Sequence, residues 1–361
     1  MNLDNRTILV TGGAGFIGSN FILNFLKNHQ QSYLINLDDL SYAGNLKNLL
    51  SIEDKPNYKF IKGNITNKLL IEKIFSGKLE SKGVPVPDLV VHFAAESHVD
   101  RSINDSFPFI QSNVVGTQVL LDTAKKYWEN FDDHLFVHVS TDEVYGTLGK
   151  EGCFTESSYI QPNSPYSASK AGSDLLVRSY YETFGFPSII TRCSNNYGPY
   201  QFPEKLIPLI INNILNKRPL PIYGKGENIR DWLYVTDHCD AIEAVVSTGR
   251  IGEVYNIGGN NEWKNIDIVE KICEIMDKKM AWDFNSKELI TFVSDRLGHD
   301  MRYAIDANKI KNECNWEPKY QFPEGIDSTI DWYLSNKKWL EDVTSGQYQL
   351  YYDAFYQKDL D

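Results

Sequence analysis

The chain has no cysteine pair motif. Cys153, Cys193, Cys239, Cys273 and Cys314 are odd in number and nowhere form Cys-x-x-Cys, which excludes a disulfide framework and a Cys-based zinc site and points to reduced thiols. No apolar run approaches the ~18 residues of a membrane-spanning helix, and the N-terminus lacks a signal-peptide pattern. The expectation is a cytoplasmic protein with no membrane partner. No block of Lys and Arg offsets the formal net charge of −12, which argues against a nucleic-acid surface. An anionic substrate therefore has to be held by a few local cations. His98, His138 and His238 lack ligand spacing and read as core or surface residues, so no metal is expected. Internal repeats and low-complexity tracts are also missing. What remains is an ordinary globular composition, 42% hydrophobic over 361 residues, with a length that predicts about two domains.

The first half is organised around strand ends. Ile8-Leu9-Val10 reads as a short strand, followed at once by Thr11-Gly12-Gly13-Ala14-Gly15-Phe16-Ile17-Gly18 and a helical pattern from Asn20 to Lys27. Strand, glycine turn and helix in that order make a dinucleotide site credible, because the helix N-terminus offers free N–H groups to a pyrophosphate. A second strand, Tyr33 to Leu37, ends at Asp38. A carboxylate there accepts hydrogen bonds from a ribose diol and repels a 2′-phosphate, favouring NAD over NADP. Tyr58 to Ile61, Leu89 to Phe93 and Ser188 to Thr191 are further strands, and Phe109 to Lys126 is a helical stretch covering one face of the sheet. Gly77 to Pro87 reads as a surface loop. Strands alternating with helices predict an α/β fold with a doubly wound parallel sheet of Rossmann type.

The chemistry concentrates between Phe136 and Lys170. A buried-strand pattern, Leu135 to Val139, ends in Ser140-Thr141-Asp142-Glu143, two hydroxyls and two adjacent carboxylates where ligands sit in an open sheet. Ser164 is a good N-cap and Pro165 a good first residue for the next helix. Tyr166 and Lys170 then share a face of it, and an ammonium near the phenol is expected to lower the Tyr pKa toward a usable base. For Asp142 to act as an acid its pKa has to be raised, and burial and the Glu143 charge both push that way.

After Gly198 the texture changes, with prolines at 199, 203, 208, 219 and 221. The reading is an NAD-binding domain of residues 1–198 with a returning segment near 232–260. A smaller, discontinuous substrate domain comprises residues 199–231 and 261–361. Val254 to Ile257 is expected to rejoin the main sheet. Lys205, Arg230 and Arg296 are the candidate cations for an anionic substrate, since Arg holds phosphate through paired hydrogen bonds.

These motifs resemble the extended short-chain dehydrogenase/reductase superfamily and, within it, the dTDP-glucose 4,6-dehydratase family. The resemblance is carried by GGAGFIGSN (12–20), LDDLSYAGN (37–45), HFAAESHVDRSI (92–103), STDEVYG (140–146) and PYSASKAGSD (165–174). It continues through TRCSNNYGPYQFPEKLIP (191–208), IYGKGENIRDWLYVTDHCDA (222–241) and DRLGHDMRYAID (295–306). The adjacent acids Asp142 and Glu143 discriminate it from related 4-epimerases. The chain departs from the family pattern at Asn64, where Asp is usual, at Leu297, where Pro is usual, and in the longer Gly77–Pro87 loop.

The resemblance implies NAD bound by Gly12, Gly15, Phe16, Ile17, Gly18, Asp38, Leu40, Ser41, Tyr42, Ala43, Asn64, Ile65, Phe93, Ala94, Ala95, Ser97, Ser112 and Asn196, with Tyr166 and Lys170. It assigns the nucleotide sugar to Ser97, Thr141, Asn195, Lys205, Leu206, Pro221, Tyr223, Arg230, Asn265, Arg296, His299 and Tyr348. It further implies that Tyr166 takes the proton of the sugar 4-hydroxyl, held by Thr141, while NAD accepts hydride from C4. Glu143 then removes the C5 proton, Asp142 protonates the departing 6-hydroxyl, and hydride returns to C6. A homodimer is expected. The alternatives are a nucleotide-sugar 4-epimerase, a 4,6-dehydratase for UDP- or CDP-glucose, and an NAD-sensing regulator on the same fold.

Overall fold

A computed structural model describes residues 1–79, 83–295 and 297–345. The strands in chain order are β1 (Thr7–Thr11), β2 (Tyr33–Asp38), β3 (Tyr58–Lys62), β4 (Leu89–His92), β5 (Leu135–Thr141) and β6 (Ser188–Cys193). They continue as β7 (Asn195–Tyr197), β8 (Leu220–Tyr223), β9 (Ile229–Tyr234), β10 (Val254–Ile257), β11 (Glu262–Lys264) and β12 (Ile290–Val293). Seven form one parallel sheet in the order β3-β2-β1-β4-β5-β6-β10, so Val254–Ile257 does rejoin it, beside β6.

The sheet is buried on both faces because the strands are apolar without interruption and alternate residues find different partners. Ile8 and Val10 pack with Phe21 and Phe25 of the helix Phe16–Asn28 and Val245 of the helix Val235–Thr248. Leu9 packs on the other face with Ile71, Leu120 and Val177, from the helices Lys68–Phe75, Thr117–Tyr127 and Pro165–Phe184. The chain reverses direction across the sheet between β1 and β4, and that switch point leaves a crevice at the carboxyl ends of the strands.

A second core forms around Ile207, Ile210 and Ile211 of the helix Leu206–Leu215, with Ile268 and Ile272 of the helix Asn265–Met280 and Ile326 of the helix Phe322–Ser335. Two small sheets, β11-β9-β7 and β12-β8, accompany it.

The expected helix over Phe109 to Lys126 is not uniform. Ile110–Gly116 is π-helical and regular α-helix begins at Thr117. Here the Asn113 side chain is committed to the Glu96 backbone and the Ser169 hydroxyl, while Thr117 Oγ1 donates to the Asn113 carbonyl at 2.6 Å. Such widened turns gather at functional sites.

The glycine turn after β1 is tight. A Cβ at Gly18 would lie 2.3 Å from the Gly12 carbonyl oxygen and 2.8 Å from Gly13 Cα, both backbone atoms that cannot swing away. Gly18→Ala is therefore expected to destabilise the protein by ~1–3 kcal/mol, read as a fall in Tm.

Candidate active site

A cavity of about 590 Å³ runs along the carboxyl ends of the strands, from Asp38 to Thr141, Tyr166 and Lys170. At one end Asp38, 8% exposed at the tip of β2, accepts hydrogen bonds from Ala14 N at 2.9 Å and Leu40 N at 2.8 Å. Burial pushes its carboxyl up while those two N–H groups pull it down. Leu40 takes the left-handed conformation, φ 54°, to make that bond.

Asn64 donates to Asp39 Oδ2 at 2.8 Å and accepts from Thr66 N at 2.9 Å. An Asp at this position would set a second carboxylate against Asp39, which gives a physical reason for the departure from the family pattern.

At the other end β5 runs out into the turn Asp142–Tyr145. Thr141 Oγ1 accepts from Glu143 N at 3.3 Å and donates to Asp142 Oδ1 at 3.4 Å. Asp142 is 1% exposed and its Oδ2 has no hydrogen-bond partner among the described residues. Burial first, and then the charges of Glu143 and Asp231, raise its carboxyl well above the usual range, so it carries a proton under conditions where an exposed Asp would not. Glu143 lines the cavity and accepts from Ser167 Oγ at 3.1 Å.

The helix Pro165–Phe184 begins as the sequence predicts, with Ser164 accepting from Ser167 N. Tyr166 and Lys170 are both buried on its inner face. Lys170 Nζ donates to the Val139 carbonyl at 2.9 Å, and burial lowers its pKa to about 8. The Tyr166 phenol differs from expectation. Burial and the Glu143 charge push it well above its ordinary value, with the Thr141 hydroxyl pulling the other way. The ammonium expected to acidify it is anchored on a backbone carbonyl and does not offset the loss of water.

Most residues assigned to NAD by resemblance lie on this cavity wall, from Gly12, Gly15, Phe16, Ile17 and Gly18 through Ser41, Ala43, Asn64 and Ile65 to Phe93, Ala94, Ala95, Ser97, Ser112 and Asn196. Leu40 and Tyr42 do not line it. The Tyr42 ring lies under the Arg101 guanidinium, 3.9 Å from its carbon to the ring centroid.

Of the residues assigned to the substrate, Ser97, Thr141, Asn195 and Lys205 line the cavity, and Lys205 Nζ donates to Ser97 O at 3.0 Å. Leu206, Pro221, Tyr223, Arg230, Asn265 and His299 do not. Tyr223 and His299 meet edge to face at 6.1 Å, and His299 Nδ1 lies 2.6 Å from Asp295 Oδ1. Arg230 is buried on β9 with its guanidinium 4.4 Å from the Tyr303 ring centroid and Nη2 donating to Asp300 O at 2.8 Å. Asn265 opens the helix Asn265–Met280, and Leu206 follows the N-cap Lys205. Arg296 and Tyr348 lie outside the described residues.

Sequence reasoning passed over Asp174 and Arg192, a buried ion pair at 2.8 Å beneath this centre. The signal was present, since Asp174 falls four residues after Lys170. It also left His238 without a task, and His238 Nδ1 lies 2.9 Å from Asn196 Oδ1, fixing that amide at the cavity wall.

The groove suits a dinucleotide on three counts. The helix Phe16–Asn28 carries no side-chain cap, so its first N–H groups are not taken by one. A Cβ at Gly15 would meet only the Gly12 carbonyl oxygen, at 3.3 Å, which leaves the wall low there. Asp38 presents a carboxylate already set by two backbone bonds. Among the described residues no cluster of His, Cys, Asp and Glu could hold a metal ion, and no helix is long and apolar enough to cross a membrane.

Comparison with known proteins agrees with this geometry. A family model described as GDP-mannose 4,6 dehydratase matches residues 9–329. The dTDP-glucose 4,6-dehydratase of Xanthomonas campestris pv. campestris (strain B100) is 52% identical over 351 residues, 95% of this chain and 97% of that protein. The crystal structure of dTDP-glucose 4,6-dehydratase from Bacillus anthracis str. Ames in complex with NAD superposes with a TM-score of 0.83 at 50% identity, covering 94% of this chain and 99% of that one. That of the Streptomyces venezuelae dTDP-glucose 4,6-dehydratase, with NAD and TYD bound, gives 0.84 at 44% identity over 93% and 99%. With a nucleotide-binding crevice at one end, an acid pair and a Tyr-Lys helix at the other, and half of its residues shared with such relatives over nearly its whole length, the chain belongs to the dTDP-glucose 4,6-dehydratase family.

Proposed function

We propose that this protein is an NAD-dependent hydro-lyase that converts dTDP-glucose to dTDP-4-keto-6-deoxy-glucose, in the cytoplasm and in the service of deoxysugar (rhamnose-type) synthesis. The observation that carries the reading is the buried Asp142, whose carboxyl burial and the Glu143 charge raise, adjacent to the cavity-facing Glu143 at the end of β5, with Tyr166 and Lys170 on the same cavity wall. A 4-epimerase has no step that needs such an acid-base pair, and that alternative is not favoured.

Bound NAD supplies the redox chemistry, taking hydride from C4 of the sugar and returning it to C6. The protein does the rest. Asp38 and the first turn of the helix Phe16–Asn28 hold the dinucleotide, and Lys170 faces its nicotinamide ribose. Thr141 Oγ1 holds the sugar 4-oxygen and Tyr166 Oη takes its proton. Oxidation at C4 acidifies the C5 proton, which Glu143 removes. Asp142 gives its proton to the departing 6-hydroxyl, so that water leaves rather than hydroxide. After the transfer to C6 a proton returns to C5 and the 4-ketone is kept, while Tyr166 releases to solvent the proton it took and Asp142 regains one from solvent.

Because the Tyr166 phenol lies high, the phenolate fraction is small at neutral pH and kcat is expected to climb with pH. It falls once Lys170 and Asp142 lose their protons, the former near about 8. A bell-shaped kcat–pH profile checks this.

The second core, built from the helices Leu206–Leu215, Asn265–Met280 and Phe322–Ser335, supports a unit in the later part of the chain that reads the nucleotide, with Lys205, Arg230 and Arg296 as its cations. Ile310, Cys314 and Trp316, by contrast, pack in the core of the main sheet. Phe107, Ile110, Leu175 and Phe184 are exposed apolar residues on or beside the helices that flank Tyr166. They favour a homodimer formed through that face, and light scattering is expected to give twice the chain mass. A monomer at working concentration would rule it out.

The decisive assay incubates the protein with dTDP-glucose and NAD and weighs the product by mass spectrometry. Loss of one water with no net NADH is expected. Unchanged mass with dTDP-galactose formed would establish the epimerase, and turnover of UDP- or CDP-glucose instead would reassign the nucleotide.

A further inference from the structure

Beneath the reaction centre lies a buried polar chain to which the dehydration chemistry gives no task. Asp174 stands one helical turn beyond Lys170 and is 1% exposed. Its Oδ2 accepts from Arg192 Nε at 2.8 Å, and its Oδ1 lies 3.4 Å from His138 Nε2. Arg192, on β6, reaches further and donates from Nη1 to the Tyr145 hydroxyl at 2.9 Å. The Tyr145 hydroxyl in turn donates a hydrogen bond to Asn256 Oδ1 at 2.8 Å. Since Tyr145 closes the turn that holds Asp142 and Glu143, one guanidinium ties the helix of Tyr166 and Lys170 to the turn of the acid pair.

Stability does not explain the arrangement. Taking two charges out of water costs about as much as their attraction returns, and apolar residues of like volume would hold the fold as well. The position of the pair suggests what it does. Lys170 is 4% exposed, and a cation so enclosed gives up its proton unless an anion stands by.

Titratable groups stand on the elements packed around its helix. His138 on β5 and His92 on β4 are kept neutral by burial. On β6 the Cys193 thiol is pushed up to about 12 and stays protonated. Arg192 acts on Asp174 and Tyr145. From the turn, Asp142 retains its proton and Glu143 is bonded to Ser167. Asp122, on the neighbouring helix, is bonded to Tyr180 far along the same helix. Asp100, on the helix Val99–Asn104, lies 3.9 Å from His98 and accepts from Tyr223. Asp174 is the carboxylate whose charge acts most on Lys170, and Arg192 keeps it ionised.

We propose that Asp174, fixed by Arg192, is a positioning residue that keeps Lys170 in its ammonium form at the pH of catalysis and locks its helix to the Asp142–Glu143 turn. The role given to Lys170 rests on the dehydratase reading; its charge does not.

The test is a ¹³C NMR titration of the full chain labelled at lysine Cε, with the Lys170 signal assigned by its loss in Lys170→Met. The wild-type midpoint is expected near about 8. In Asp174→Asn it moves down by about one unit or more, and Asp174→Glu restores it. Should Asp174→Asn fail to fold around its stranded guanidinium, Asp174→Asn with Arg192→Gln removes both charges and is expected to show the same direction.

In parallel, the falling limb of kcat against pH moves with the Lys170 midpoint while KM for dTDP-glucose stays near wild type. An unmoved midpoint in a folded variant, with kcat lowered evenly at every pH, would make the pair mere core filler and overturn the proposal. If the wild type turned over no nucleotide sugar, the functional reading would fall and the titration would still decide the charge of Lys170.

Discussion

Tyr166→Phe is expected to lower kcat by ~10²–10⁴-fold, the range for loss of a positioned proton-transfer group, while KM and the bound NAD content change little. The phenol is buried against Phe109, with ring centroids 6.4 Å apart, and its ring remains in the variant, so the packing survives. What disappears is the oxygen beside Thr141 and its proton transfer with the sugar 4-hydroxyl. The loss falls on the first chemical step, so single-turnover experiments should show no transient NADH. The rise of kcat with pH should vanish as well, since the group whose ionisation it reports is gone. A variant that still formed NADH at the wild-type rate would remove Tyr166 from the mechanism.

Asp142→Asn has the opposite signature. Oxidation at C4 stays intact, and the ~10²–10³-fold loss appears after it, so NADH and a 4-keto-glucose nucleotide accumulate together. Asn copies the shape and neutrality of the protonated acid but cannot deliver its proton. The same change is expected to raise Tm at neutral pH. A carboxyl whose pKa is higher folded than unfolded is free of penalty below the unfolded pKa and destabilises progressively as pH rises above it. Asn escapes that penalty, so the gain should vanish in acid. Lost activity with no accumulated NADH would place Asp142 in the oxidation step instead.

The Tyr166 phenol shows where reading residues in line goes astray. Four-residue spacing on a helix correctly put Tyr166 and Lys170 on one face, because helical geometry is local. It could not say that the ammonium would be spent on Val139 O or that Glu143 would stand nearer in effect than Lys170. Those facts depend on how β5 and its turn meet the helix. Likewise the helical pattern from Phe109 was legible, whereas its π-helical opening is set by Asn113 reaching Glu96 and Ser169.

The parallel strands, the glycine turn, the acid at the tip of β2 and the order of the catalytic strand ends are legible in the residues in line. Each of these is written in short-range pattern: uninterrupted apolar runs, residues that tolerate a turn, and caps at helix starts. The sequence by itself also determined the family, through motifs spread along most of the chain. Tertiary structure alone decided the ionisation of the groups those motifs supply. Asp142 keeps its proton, Lys170 sits near its titration point and Asp174 is held charged because burial removes water from each while partners from β5, β6 and the catalytic turn arrive from distant parts of the chain. Spacing places a titratable group on an element, and only the folded surroundings set which form it takes.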